Sequence, residues 1–161
     1  MARPDPLDDD QIEAYLAIME VAGQLRFRLD ADLGGALSYL QFEMLGRLRR
    51  ASDDGLRMTD LADRVAVSRS GLTYQVGKLE AAGLVTRTAS RDDDRSNVVH
   101  LTEAGRREFD RLLPGHVEIV RSLLFDGLPD DDVAALARIV GHIRDRIRAL
   151  PPRSTSRRAD T

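Results

Sequence analysis

Apolar residues recur at helical spacing over most of the chain. Between Asp9 and Leu33, Ile12, Leu16, Met19, Leu25, Leu29 and Leu33 are separated mostly by three or four positions, with no proline and only Gly23 as glycine. That spacing predicts a long first helix. Tyr15, Ile18, Val21 and Phe27 widen its apolar face, so it is expected to be buried on more than one side. Asp8 to Asp10 complement its positive start. The stretch LGGALS breaks it, and Ser38 with Gln41 makes a capping-box pattern. A second helix then carries Tyr39, Phe42, Leu45 and Leu48 to about Ala51.

Shorter elements follow. Thr59 is expected to cap a third helix, DLADRVA, with Leu61 and Val65 facing inward. Val67 and Ser68 make a turn, and Ser68 caps a fourth helix whose buried stripe is Leu72, Val76 and Leu79. Ala82–Gly83 stops it. LVTRT and NVVHL are short β-branched runs on either side of a polar turn at 91–96. Thr102 caps a fifth helix to about Phe125, which Pro114–Gly115 is expected to kink. A sixth runs from about Asp130 to Leu150. There Val133, Leu136, Val140, Ile143, Ile147 and Leu150 are spaced 3, 4, 3, 4, 3, an a/d seam. The segment before Asp8 reads as loose and that after Leu150 as a disordered tail.

Two helices, a turn between them and a following hairpin form a winged helix-turn-helix, a device for reading duplex DNA. The fold expected is therefore mainly α: six helices with a two- to three-stranded β-wing. Residues 37–102 would form the DNA-binding lobe, residues 8–36 and 103–150 the dimerisation helices, and residues 151–161 the tail. The seam at 133–150 and the wide face at 12–33 call for a second copy of the chain. A dimer would set two reading helices about one DNA turn, roughly 34 Å, apart on a pseudo-palindromic operator.

Composition supports this picture and narrows the chemistry. With 4% aromatic residues and 42% hydrophobic ones, the core must be built from Leu, Val, Ile and Ala. The chain has no cysteine, which excludes disulfides and thiol switches within it. His100, His116 and His142 lie far apart without ligand spacing, so no metal and no cofactor is expected. No nucleophile–base pair and no phosphate-binding glycine loop is visible, which argues against an enzyme. No apolar run reaches the roughly 18 residues of a membrane span, and the acidic start is no secretory signal. A cytoplasmic protein without a membrane partner is the expectation. Net charge is −3, which alone disfavours nucleic acid, but its distribution matters more. Residues 57–95 hold six arginines and Lys78, the one lysine, against six acids. An acidic chain thus carries a mildly basic reader.

On the fourth helix, Arg69, Ser70, Thr73, Tyr74, Gly77 and Lys78 lie opposite the buried stripe. Ser70, Thr73 and Tyr74 suit base edges and thymine methyls. Arg69 and Lys78 suit phosphates, and Ser68, at the same helix start, and Arg91 are further DNA-binding candidates. Gly77 leaves room for close backbone approach. In the hairpin turn, Arg95 can enter a minor groove, braced by Asp93. The run Asp92 to Asp94 would repel phosphates, which motivates an alternative: a winged-helix protein-interaction module without operator binding.

These residues resemble the multiple-antibiotic-resistance regulator (MarR) family of winged helix-turn-helix transcription factors. The resemblance rests on TDLADRVAVSRSGLTYQVGKLEAAGLVTR, then Asp93-x-Arg95 and Leu101–Thr102 at wing spacing, and extends more loosely over about residues 10–150. It implies a triangular homodimer joined through helices 1, 5 and 6, short palindromic operators and usually repression. It also implies a small aromatic or phenolic effector between the lobes. Ser70, Thr73 and Tyr74 fall at base-reading positions of the family, Arg69 and Lys78 near backbone-contacting ones. Arg95 matches the wing arginine and Asp93 its bracing acid. Asp94 departs from the basic residue common there, which implies a weaker or more salt-sensitive wing contact. Tyr39, Phe42 and His116 fall on the helices bordering the effector pocket, although apolar residues at helical spacing more often pack as core.

Overall fold

Asp8 opens the first helix. Its carboxylate accepts from Gln11 N–H at 2.8 Å while Gln11 Oε1 accepts from Asp8 N–H at 3.2 Å, satisfying donors that the helix itself cannot. The computed structural model describes residues 5–51, 54–89 and 97–150. In it α1 runs Asp9–Asp32, and Ser38 with Gln41 forms the expected capping box on α2, Tyr39–Arg50. The strand β1, Leu56–Arg57, precedes α3, Met58–Arg64, and α4 spans Arg69–Ala81. Strands β2, Val85–Ala89, and β3, Asn97–Leu101, lead into α5, Glu103–Leu124, and α6, Asp130–Arg148. The sheet is antiparallel in the order β1-β3-β2. Val99 at its centre pairs with Leu56 on one side and Arg87 on the other.

One expectation needs correction. Thr59 does not cap α3: the N-cap is Arg57, without a side-chain bond, and Thr59 lies inside the helix. The cause is tertiary, because Leu56 and Arg57 pair with β3 and the chain leaves that strand directly into the helix. The broad face of α1, read as part of a contact with a second copy, is largely exposed among the described residues. Leu29 is its one buried residue, while Tyr15, Leu16, Met19 and Phe27 are exposed. The seam of α6 is likewise open, with no buried residue and with Leu136, Val140, Ile143 and Ile147 exposed. Elsewhere, α5 is unbroken through Pro114.

The chain divides into two compact units, Met1–Val120 and Arg121–Thr161. The first holds the core. Leu45 on α2, Leu61 on α3, Leu72 and Val76 on α4, Val85 on β2 and Val99 on β3 are all 1% exposed or less. Those are the stripes that period 3.6 in the helices and period 2 in the strands direct to one side. The turn between α3 and α4 holds Ala66 at φ 54°, a left-handed position that a residue with a Cβ rarely adopts. Among the described residues no helix is long and apolar enough to cross a membrane.

Candidate nucleic-acid interface

The fourth helix, α4, is fixed at both ends by its own sequence. At its start Ser68 Oγ accepts from Gly71 N–H at 3.1 Å and lies 3.3 Å from Ser70 Oγ. At its end Gly83 takes φ 71°, its N–H donates to Glu80 O at 2.9 Å, and Leu84 N–H donates to Leu79 O at 2.9 Å. That pair of bonds is a Schellman motif, and it needs a residue at ease with positive φ. Leu72, Val76 and Leu79 hold the inner side of α4 against the core.

The outer side presents what the sequence assigns to it. Arg69, Ser70, Thr73, Tyr74 and Lys78 are all exposed on α4, together with the capping Ser68. Two local bonds shape this face. Thr73 Oγ1 donates to Arg69 O at 2.9 Å, so its hydroxyl proton is used within the helix while its oxygen can still accept. Lys78 Nζ lies 4.8 Å from the centroid of the Tyr74 ring, a cation–π pair one turn apart. The Tyr74 ring is 61% exposed, a large apolar surface on an otherwise polar helix face. A Cβ built on Gly77 would meet nothing within 4 Å, so that stretch of backbone is open from outside.

Beside α4 stands the hairpin of β2 and β3, paired from Val85↔Leu101 to Ala89↔Asn97. Thr88 Oγ1 and His100 Nε2 are 2.9 Å apart across its outer face. Arg91, Asp93 and Arg95 lie outside the described residues. The arrangement as a whole is a helix with hydroxyls, a ring and cations outward, next to a projecting two-stranded ribbon. Hydroxyls, an aromatic ring and cations are the groups that base edges and phosphates of a duplex can engage.

A second feature lies where α2 and α5 meet. The His116 ring is 4.6 Å from that of Phe42 and 6.1 Å from that of Tyr39, so the three residues expected near an effector lie together. They line a cleft of about 240 Å³ with Glu43, Gly46, Arg47, Arg50 and Phe109. Phe42 is at the same time core, stacked on Phe109 at 4.9 Å and 4% exposed. Burial, and then Glu43, raise the Tyr39 phenol above its ordinary value, so it remains a donor. Burial lowers His116, against a smaller opposing pull from Asp32. Sequence reasoning missed Phe109, Arg47 and Arg50; the available signal was that Glu43, Arg47 and Arg50 follow Tyr39 at helical spacing. Among the described residues no three His, Asp or Glu side chains gather to hold a metal ion.

Comparison with known proteins places this architecture. A family model described as MarR family matches residues 37–96, a span that holds α2, β1, α3, α4 and β2. The helix-turn-helix-type transcriptional regulator YfiV of Bacillus subtilis (strain 168) is 39% identical over 123 residues, 73% of each chain. AbsC, a MarR family transcriptional regulator from Streptomyces coelicolor, superposes with a TM-score of 0.80 at 31% identity. That match covers 91% of this chain and 99% of AbsC. Sco3205 from the same organism, a MarR family transcriptional regulator whose structure is a complex with DNA, superposes with a TM-score of 0.81. It is 28% identical, with 97% of each chain covered.

Proposed function

The chain belongs to the MarR family of helix-turn-helix transcriptional regulators, and from that premise we propose that it is a dimeric, operator-specific repressor. In this reading α4 enters the major groove of a half-site, with Ser70, Thr73 and Tyr74 toward base edges and Arg69 and Lys78 toward phosphates. The observation that carries it is the outer side of α4. A capped helix with a buried apolar stripe leaves exposed on its far side the hydroxyls, ring and cations that duplex DNA requires. The structure of Sco3205 with DNA, covered almost end to end by this chain, supports the same use of the fold.

Dimerisation is supported by the two uncovered apolar faces, that of α1 and that of α6. Exposed apolar surface of this extent marks an interaction site, and a self-complementary two-fold contact is the common solution. Residues 8–36 and 103–150 are then the dimerisation helices and residues 37–102 the reader. The cleft between Tyr39, Phe42 and His116 is the effector site. Its volume of about 240 Å³ admits a single-ring molecule, since a cavity of roughly 150 Å³ already takes benzene. The protein works in the cytoplasm as a regulator without catalysis of its own.

The test is a fluorescence-anisotropy titration of a site selected by the protein from random-sequence duplex DNA, against a scrambled duplex. Preference for the selected site is expected, with log affinity falling steeply against log salt, each neutralised phosphate adding about −0.9 to the slope. Equal affinity for both duplexes overturns the reading.

A further inference from the structure

Glu80 stands in the last turn of α4, on the same helix as Thr73 and Tyr74, and Arg87 lies in the middle of β2. On a strand, residues two apart share a face, so Arg87 continues the side of β2 that begins with the buried Val85. Between them the chain reverses through the Schellman turn at Gly83. That turn is clamped from the far side. Thr102 Oγ1 donates to Gly83 O at 2.8 Å, and Thr102 N–H donates to Leu84 O at 3.1 Å. Gly105 packs so closely that a Cβ there would lie 2.1 Å from Leu84 O.

The root of the hairpin is therefore held by backbone and core. Farther out, the hairpin is tied to the helix by a side chain. Arg87 Nε donates to Glu80 Oε2 at 3.0 Å, and Nη2 makes a shorter bond to the same oxygen. This hydrogen-bonded pairing lowers the Glu80 carboxyl from its ordinary value and raises Arg87.

We propose that the Glu80–Arg87 pair is a positioning strut that sets the β2–β3 hairpin against the reading helix, and so governs how well both engage one half-site at once. The inference rests on α4 being the DNA-reading helix. Its physical basis is preorganisation: a hairpin already held at its working angle loses less freedom when the complex forms. The charge of Arg87 is compensated within the pair, so Arg87 is not counted among the cations that displace ions from phosphate. The strut should consequently act on affinity and leave the salt dependence alone.

Four variants test this on the selected duplex: Glu80→Gln, Arg87→Gln, both together, and the exchange Glu80→Arg with Arg87→Glu. Each single variant is expected to weaken binding by about fivefold, the upper range for one exposed ion pair. The double variant should be no weaker than either single, as for two halves of one interaction. The exchanged pair should recover most of the loss. Salt slopes should match the wild type throughout. Melting temperatures should fall by no more than the few degrees that one exposed ion pair accounts for, whereas a general loss of packing would lower them further. Three results overturn the strut: tighter binding by Glu80→Gln, a slope reduced by about 0.9 in Arg87→Gln, or wild-type affinity in both singles. The first two would make Arg87 a phosphate contact that Glu80 restrains. Wild-type protein that does not discriminate the selected duplex from a scrambled one would overturn the DNA reading and the strut together. Specific binding with indifferent variants would overturn the strut alone.

Discussion

Gly77 sits in the middle of the reading helix, where glycine is the weakest choice short of proline. An alanine there would meet no atom within 4 Å, and its helix propensity is better by about 0.8–1 kcal/mol. Gly77→Ala should therefore raise the melting temperature by a few degrees, yet lower affinity for operator DNA if the backbone approaches the duplex. A variant that is more stable and binds as well as wild type would remove Gly77 from the interface. His116 carries a pH dependence of stability. Burial among Phe42 and Tyr39 depresses it below 6.5, so between the folded and unfolded values the unfolded chain holds more protons. The folded state is thus penalised as pH falls below about 6.5 and unaffected above. His116→Asn should flatten that part of the profile in urea melts compared near pH 7.5 and 5.5; parallel profiles would sink the argument. At this scale the sequence displayed Ser68, Thr73, Tyr74 and Lys78 as a set because one helix period separates inward from outward positions. It did not display the Lys78–Tyr74 contact or the Glu80–Arg87 pair, since rotamers and chain reversals carry no mark in the pattern.

Among the elements, the turn between α4 and β2 connects the most parts. Gly83 closes α4, Thr102 opens α5 by accepting from Gly105 N–H at 3.0 Å, and Gly105 lets α5 start against Leu84. Gly105→Ala would place a Cβ against a backbone carbonyl rather than a movable side chain. It should destabilise the fold by roughly 1–3 kcal/mol, read as a lower urea midpoint with unchanged slope; an unaltered midpoint would show that α5 can shift. Helix boundaries set by local caps, at Ser38, Ser68 and Thr102, were legible in the sequence. The start of α3 was not, because β1 is two residues long and exists only through its pairing with β3. Pairing across more than forty positions leaves no local trace in so short a run.

For the whole molecule, α1 and α6 carry the apolar faces assigned to a second copy. Leu16 is 56% exposed and Ile143 41%, each in the middle of an apolar face. If those faces bury a second copy, Leu16→Arg or Ile143→Asp puts an unpaired charge in the interface, which costs several kcal/mol. Sedimentation should then show monomers, and affinity for a two-fold operator should fall by a hundredfold or so, on the order of the roughly 3 kcal/mol lost when one half-site no longer recruits the other. Variants that remain dimeric would move the interface elsewhere. The sequence by itself determined six helices, the capped reader with its polar outer side and the apolar faces at both ends. Those features follow from periodicity and capping, which act within one turn of chain. The tertiary structure alone decided that β1 joins the sheet and that Tyr39, Phe42, Phe109 and His116 line one cleft. It also decided that Arg87 returns to Glu80. Each of these depends on segments distant in sequence meeting in space, a matter of packing that no local window contains.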